Sequence, residues 1–264
     1  MRLGQHFLSD PGILGRIADA LDPVPGETVI EIGPGKGTLT EVLLARGLKV
    51  IAIEKDRRLA TDLEIRNAEC GIDRLRVVAG DALRMSWHDL IRAGPAIPHS
   101  AFQIPNFKIV GNIPYYITSP LIEKALTPPL PERVVFLVQQ EVADRIAAPP
   151  GGKTYGALSV GVQAVCRVER LFTVAPGAFR PPPKVRSALL RLTPLAEPLV
   201  APAEAKALRA FVTACFSRRR KQLHNAVPGA TAEGLRALGF DPRARPETLA
   251  PRDFVRLLRG SAQL

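Results

Sequence analysis

The pattern of apolar positions begins with a helix. Asp10-Pro11 is a capping carboxylate followed by proline at a first helical position, and Ile13, Leu14, Ile17, Ala18 and Leu21 follow at helical spacing. Short β-rich runs then recur: Thr28–Ile32, Lys49–Ile53, Arg76–Ala79, Lys108–Val110 and Val134–Val138 read as five strands. Leu39, Val42 and Leu43 mark a helix after the first of them, Leu59 and Leu63 another after the second, and Thr118-Ser119-Pro120 opens one after the fourth. Strands alternating with helices predict an α/β domain built on a mainly parallel sheet covered on both faces.

After about residue 150 the pattern changes. Gly151–Gly156 reads as a loop, and apolar segments around 157–166 and 185–192 flank the proline-rich stretch Arg180-Pro181-Pro182-Pro183-Lys184. These two segments predict an antiparallel pair of late strands at the sheet edge. Pro194–Pro202 reads as a linker, and helical patterns follow over Ala205–Phe216, Ala232–Leu238 and Arg252–Leu258. The expected organisation is one domain over 1–194 and a small all-helical domain over 195–264, with no internal repeat.

A chain of 264 residues that is 46% hydrophobic can bury a sizeable core and is globular rather than disordered. It has no apolar run long enough to span a bilayer, and its first residues lack the apolar core of a signal peptide. The three cysteines are far apart, without a CxxC pair, and read as buried thiols of a reducing cytosol rather than disulfides or a zinc site. The four histidines are equally scattered, so no metal is expected. The net charge of +11 is unevenly placed: residues 201–264 hold 12 basic and five acidic side chains, an excess of +7. This describes either a solvated, arginine-rich helical surface or a face that binds a polyanion.

Candidate chemistry sits at the strand ends. Glu31-Ile32-Gly33-Pro34-Gly35-Lys36-Gly37 lies where a strand turns into a helix, and Gly33 and Gly35 would let a ligand approach the backbone. Glu54 ends the next strand, 21 positions after Gly33, where a carboxylate can accept both hydroxyls of a ribose. By themselves these features say only that a nucleoside cofactor binds, or that a tight turn has a surface Glu beside it. The spacing is not that of a nucleoside-triphosphate P-loop, and the dinucleotide pattern GxGxxG is replaced by Gly33-x-Gly35-x-Gly37. S-adenosylmethionine carries no pyrophosphate, so a looser glycine turn serves it. Asp81, in Gly80-Asp81-Ala82, could accept from the adenine amine, or simply cap a helix.

Asn112-Ile113-Pro114-Tyr115 directly follows the fourth strand, at the end of the sheet where ligands bind. The exocyclic amine of adenine is a poor nucleophile because its lone pair is delocalised into the ring. The Asn112 side-chain oxygen and a backbone carbonyl near Pro114 could hold its two N–H groups, and Tyr115 could stack on the base. The same tetrapeptide is also an ordinary turn sequence, and its place after the fourth strand favours the catalytic reading.

Taken together, these motifs make the chain resemble the ribosomal RNA adenine N6,N6-dimethyltransferase family over almost its whole length. The resemblance runs through Gly4-Gln5-His6-Phe7-Leu8, the glycine turn, Ile53–Asp56, Gly80–Ala82, Gly111–Tyr115, Tyr155–Val160, Phe179–Val185 and Phe216–Asn225. It implies a Rossmann-like class I methyltransferase sheet and S-adenosylmethionine as cofactor. It also implies the N6 amines of two adjacent adenosines near the 3′ end of 16S rRNA as substrate, in small or immature 30S subunits. It further implies cofactor contacts at His6, Leu8, Gly33, Glu54, Asp81 and Asn112, and a sandwich of the target adenine between Tyr115 and Phe179. The family carries Asn where this chain has His6, and a basic segment ahead of the motif where this chain has Met1, Arg2 and Leu3. Large-subunit adenine methyltransferases of the antibiotic-resistance type share Asn-Ile-Pro-Tyr. However, Pro181–Pro183, Arg218–Leu223 and Leu238–Asp241 look more like the small-subunit enzymes. A non-catalytic assembly factor would not need the intact Asn112, Tyr115 and Glu54. Lys184 near the pocket rim and Arg218, Arg219, Arg220 and Lys221 at a helix end facing the domain cleft are the expected phosphate contacts. Two or three of that run of four should engage RNA. A cytoplasmic monomer without membrane association is expected.

Overall fold

The computed structural model describes residues 6–92 and 106–260; Met1–Leu3, with Gly4 and Gln5 of the N-terminal motif, lie outside the described residues. The first elements are β1 (Phe7–Leu8), α1 (Pro11–Asp19), β2 (Thr28–Ile32), α2 (Thr38–Ala45), β3 (Lys49–Glu54), α3 (Arg57–Glu69), β4 (Leu75–Ala79) and α4 (Trp87–Arg92). Then come β5 (Phe107–Asn112), α5 (Thr118–Ala125), β6 (Arg133–Gln139), α6 (Gln140–Ile146), α7 (Ala157–Gln163), β7 (Cys166–Val174), β8 (Phe179–Arg180) and β9 (Ser187–Pro194). The last are α8 (Pro202–Ser217), α9 (Leu223–Ala226), α10 (Ala232–Ala237) and α11 (Pro251–Arg259).

Local chemistry sets several of these boundaries. Asp10 accepts from the Ile13 N–H at 3.0 Å with Pro11 in the first turn, and Asp56 starts α3 by accepting from Arg58 and Leu59. The runs of β-branched residues assemble into a seven-stranded sheet of order β4-β3-β2-β5-β6-β9-β7. Strands β4, β3, β2, β5 and β6 are parallel, and β9 runs antiparallel to β6 with Phe136 opposite Leu190. Ile30, Val110, Val135 and Phe136 are fully buried, as strands covered on both faces require. A separate two-stranded ribbon pairs β1 with β8, Phe7 opposite Arg180 and Leu8 opposite Phe179.

Of the two late apolar segments, the one around 185–192 gives the expected strand, β9, and the one around 157–166 differs from expectation. Residues 157–163 form a helix, and the edge strand is β7, over Cys166–Val174. A short apolar run cannot be assigned by periodicity alone. Here Gly156 starts a helix, its N–H donating to Ser159 Oγ at 3.1 Å, and Val160 and Ala164 bury one helical face. The charged residues Arg167, Glu169 and Arg170 obscure the strand that follows.

The chain divides into two compact units, Met1–Gln140 with Arg170–Thr193, and Glu141–Glu169 with Pro194–Leu264. The expected boundary at 194 and 195 therefore misses one segment. Residues 141–169 join the helical unit because Tyr155, fully buried, donates from its hydroxyl to the Leu249 carbonyl at 2.9 Å and shares a core with Val160, Leu208, Val212 and Phe254. The sheet unit has its own core, in which Leu43, Val110, Leu137 and Leu189 meet. Cys166 and Cys215 are buried, their thiols pushed up to about 12 by burial. Cys70 is exposed rather than buried, because it caps the surface end of α3. No helix among the described residues is long and apolar enough to cross a membrane.

Candidate active site

Within the sheet unit, the C-terminal ends of β2, β3 and β5, the turn after β4, and β1 surround a cavity of about 300 Å³. Its size suits a small-molecule cofactor. The turn after β2 forms its floor. Gly35 has φ +58°, and a Cβ there would lie 2.9 Å from the Phe7 ring, so only glycine lets β1 close over the turn.

Three carboxylates line this cavity, two of them, Glu54 and Glu31, buried on strands. Glu54, at the end of β3, is 3% exposed, and its two oxygens accept from Gly35 N–H at 3.0 Å and Asp56 N–H at 2.9 Å. Each oxygen keeps a further lone pair, which is what binding a ribose diol requires. Glu31 is 1% exposed and accepts from Thr40 Oγ1 at 2.6 Å. Burial pushes its carboxyl up to about 7; the Thr40 bond opposes this, and the charge of Glu54 adds to it. In the sequence, Glu31 carries no role beyond its place ahead of the glycine turn. Its signal was a carboxylate inside an otherwise apolar strand, immediately before the glycines.

Asp81 lies where the sequence places it, on the cavity wall. Oδ1 accepts from Leu83 N–H at 3.0 Å as a local cap, while Oδ2 pairs with Lys55 at 2.9 Å. The Lys55 bond holds the Asp81 carboxyl below its ordinary range. The loop behind it is fixed from outside. Trp87 Nε1 donates to Ala82 O at 2.8 Å, and Lys124 Nζ donates to Leu83 O at 2.9 Å and Met85 O at 2.5 Å. Burial pushes the Lys124 ammonium down, and the Asp81 charge works against that shift.

At the end of β5, Asn112 Nδ2 donates to the His6 carbonyl at 2.9 Å. That bond orients the amide and leaves Oδ1 as the acceptor. The Pro114 carbonyl accepts from Ile117 N–H at 3.1 Å and keeps a second lone pair. Tyr115 is held through its hydroxyl, 2.8 Å from Ser187 Oγ, and its ring stacks with His6 at 6.2 Å between centroids. His6 Nδ1 in turn donates to Pro181 O at 2.8 Å. Leu8 lines the cavity, and its carbonyl accepts from Thr38 Oγ1 at 3.0 Å. Gly33 lines it too, its N–H bonded to Ile53 O at 2.9 Å. The structure thus brings together His6, Leu8, Gly33, Gly35, Glu54, Asp81, Asn112 and Tyr115.

Phe179 departs from expectation. It is 1% exposed within the hydrophobic core and does not line the cavity. Neighbouring strand positions point to opposite faces, so β8 sends Phe179 inward and Arg180 to the exposed side. The ring facing Tyr115 is that of His6. Lys184 is exposed on the segment between β8 and β9 and does not line the cavity. The run after α8 is divided by its contacts. Arg219 donates to Gly152 O at 3.1 Å and lies 3.9 Å from Glu247, and Arg218 donates to Asn225 O at 3.1 Å. Arg220 and Lys221 are exposed. Among the described residues no cluster of His, Cys, Asp and Glu could hold a metal ion.

A parallel sheet with a glycine turn closed by Phe7, a buried carboxylate on the neighbouring strand and an oriented asparagine at the end of β5 defines a class I, S-adenosylmethionine-dependent methyltransferase. The sequence model of the ribosomal RNA adenine dimethylase family matches residues 1–258, and the chain belongs to that family. It is 42% identical over 266 residues to the ribosomal RNA small subunit methyltransferase A of Pseudomonas aeruginosa, covering 100% of this chain and 94% of that one. Among solved structures, a dimethyladenosine transferase from Plasmodium falciparum superposes with a TM-score of 0.78 at 28% identity, covering 98% of each chain. The 23S rRNA methyltransferase ErmE superposes with a TM-score of 0.71 at 29% identity, covering 96% of this chain and 98% of that one.

Proposed function

We propose that this enzyme dimethylates the N6 amines of two adjacent adenosines near the 3′ end of 16S rRNA, acting as a monomer on small ribosomal subunits in the cytoplasm. The observation that carries the reading is Asn112: its Nδ2 is engaged by the His6 carbonyl, so Oδ1 is presented as an acceptor beside the cofactor cavity. Glu54, Glu31, Asp81, Gly33 and Gly35 would hold S-adenosylmethionine. When bound, that group supplies a methyl already activated by the sulfonium charge. The protein's task is then to position the amine. Asn112 Oδ1 and the Pro114 carbonyl accept its two N–H groups and favour a pyramidal nitrogen, and Tyr115, steadied by Ser187, offers a face to the base. The adenine must leave any stack to reach it, and it would take the place of the His6 ring on the Tyr115 face while the His6 carbonyl keeps Asn112 oriented. Arg220 and Lys221, with Lys184, are the phosphate contacts this reading favours. The choice of the small subunit is supported by the names of relatives about 40% identical, such as the Pseudomonas aeruginosa protein.

The test is transfer of labelled methyl groups to small subunits that lack the modification, with large subunits as the comparison. Labelling of large-subunit rRNA alone would overturn the assignment. Asn112→Ala should lower the single-turnover rate by roughly 10²–10³ while subunit affinity stays within a few-fold. A near-normal rate would remove Asn112 from catalysis.

A further inference from the structure

Tyr116 is 65% exposed at the mouth of the cavity, beside Tyr115. The two tyrosines open a 3-10 helix over Tyr115–Ile117. With three residues per turn, consecutive side chains diverge by about a third of a turn. Tyr115 therefore turns inward to Ser187 while Tyr116 turns out. Its hydroxyl takes no hydrogen bond among the described residues, and its ring is outside both cores. Nothing in the fold accounts for an aromatic ring at this point.

The rim around it carries two cations, Lys55, which is paired with Asp81, and Arg84. Lys55 is 54% exposed and lines the same cavity as Tyr116, and its hydrogen bond to Asp81 holds its ammonium above the ordinary value. Arg84, also exposed, is close enough to act on both Asp81 and Lys55. An open aromatic face among cations is how proteins hold single-stranded RNA, the ring taking a base and the charges following the backbone.

We propose that Tyr116 is a second base platform, stacking on the nucleotide next to the adenine being methylated. This rests on the proposed function. There, a fixed strand polarity brings the nucleotide on the same flank of the target to Tyr116 whichever of the two adjacent adenosines is in the site. An aromatic face fixed at that place would hold the neighbour in the same way for either methylated position, because every base has a π-face.

The test uses the full chain and small subunits reconstituted with rRNA in which one or the other nucleotide flanking the target adenosine is abasic. Removing the base on one flank should lower kcat/KM of the wild type by about tenfold. Tyr116→Ala should lose the same factor on intact subunits and lose nothing more on the abasic substrate, and Tyr116→Trp should restore most of the loss. The affinity of Tyr116→Ala for S-adenosylmethionine, read by calorimetry without RNA, should stay within twofold of wild type. Additive losses, no effect of either abasic site on the wild type, or a tenfold loss of cofactor affinity would each overturn the proposal. The last would assign the ring to the cofactor instead. Failure of the proposed function itself looks different: the wild type would then not methylate intact small subunits at all.

Discussion

Glu31 is the most perturbed side chain of the site, and its protonation ties stability to pH. Its carboxyl stands at about 7 in the folded chain against 4.5 ordinarily, mainly because it is buried. Between those values the folded state holds a proton that the unfolded state has released, so stability falls as pH rises from about 4.5 through about 7 and the penalty is complete above that. Glu31→Gln should flatten this decline and make the cofactor-free protein more stable at pH 8, by of order 1–3 kcal/mol. The same substitution should weaken S-adenosylmethionine at pH 8 by tenfold or more, because the ligand's positive charges favour the ionised carboxylate. Melting curves at pH 5 and pH 8, with calorimetry alongside, check both. Parallel curves for wild type and variant would mean that Glu31 is ionised throughout. The carboxylate is uncomfortable without its ligand and useful with it, as groups at functional sites often are.

At the scale of elements, the ribbon of β1 and β8 closes the cavity and the glycine turn receives it. Gly35→Ala should cost about 1–2 kcal/mol for a left-handed conformation with a side chain. It should also displace Phe7, and with it the Gly35–Glu54 bond, lowering cofactor affinity about tenfold. Unchanged affinity in calorimetry would mean that the turn is not the cradle. How far these elements can be read from sequence depends on how they are stabilised. Thr28–Ile32, Lys49–Ile53 and Val134–Val138 are legible because strands buried on both faces need continuous apolar runs. Glu54, Asp81 and Asn112 are legible because each polar residue ends such a run. The helix over 157–163 is not legible, since its apolar run fits either period, and β7 hides behind its own charges. The ribbon leaves no signal either. Each of its strands is two residues long, too short for alternation, and its partner lies far along the chain, so the inward turn of Phe179 has no local cause.

For the whole molecule, the uneven charge acquires a finer structure once contacts are known. Arg219 is tied to Gly152 O and stands against Glu247, whose Oε2 is buried without a hydrogen bond, whereas Arg220 and Lys221 face solvent. Arg220→Ala with Lys221→Ala should therefore flatten the salt dependence of subunit binding by roughly 0.7–0.9 in log–log slope for each lost phosphate contact, with no change in melting temperature. Arg219→Ala should instead lower the melting temperature, by about 1 kcal/mol of stability, through the unpaired carboxylate it leaves. Identical slopes for wild type and the double variant would mark the run as a solvated face. The closing ribbon has one more consequence, which concerns synthesis. His6 and its partner Pro181 are 175 positions apart. At about 5–20 residues per second, roughly 10–35 seconds separate the emergence of the two. Until the later one arrives, β2, β3 and the glycine turn can form, but their cavity stays open on one side. The newborn chain thus gains a closed cofactor site only after all five parallel strands and the helices between them have been made.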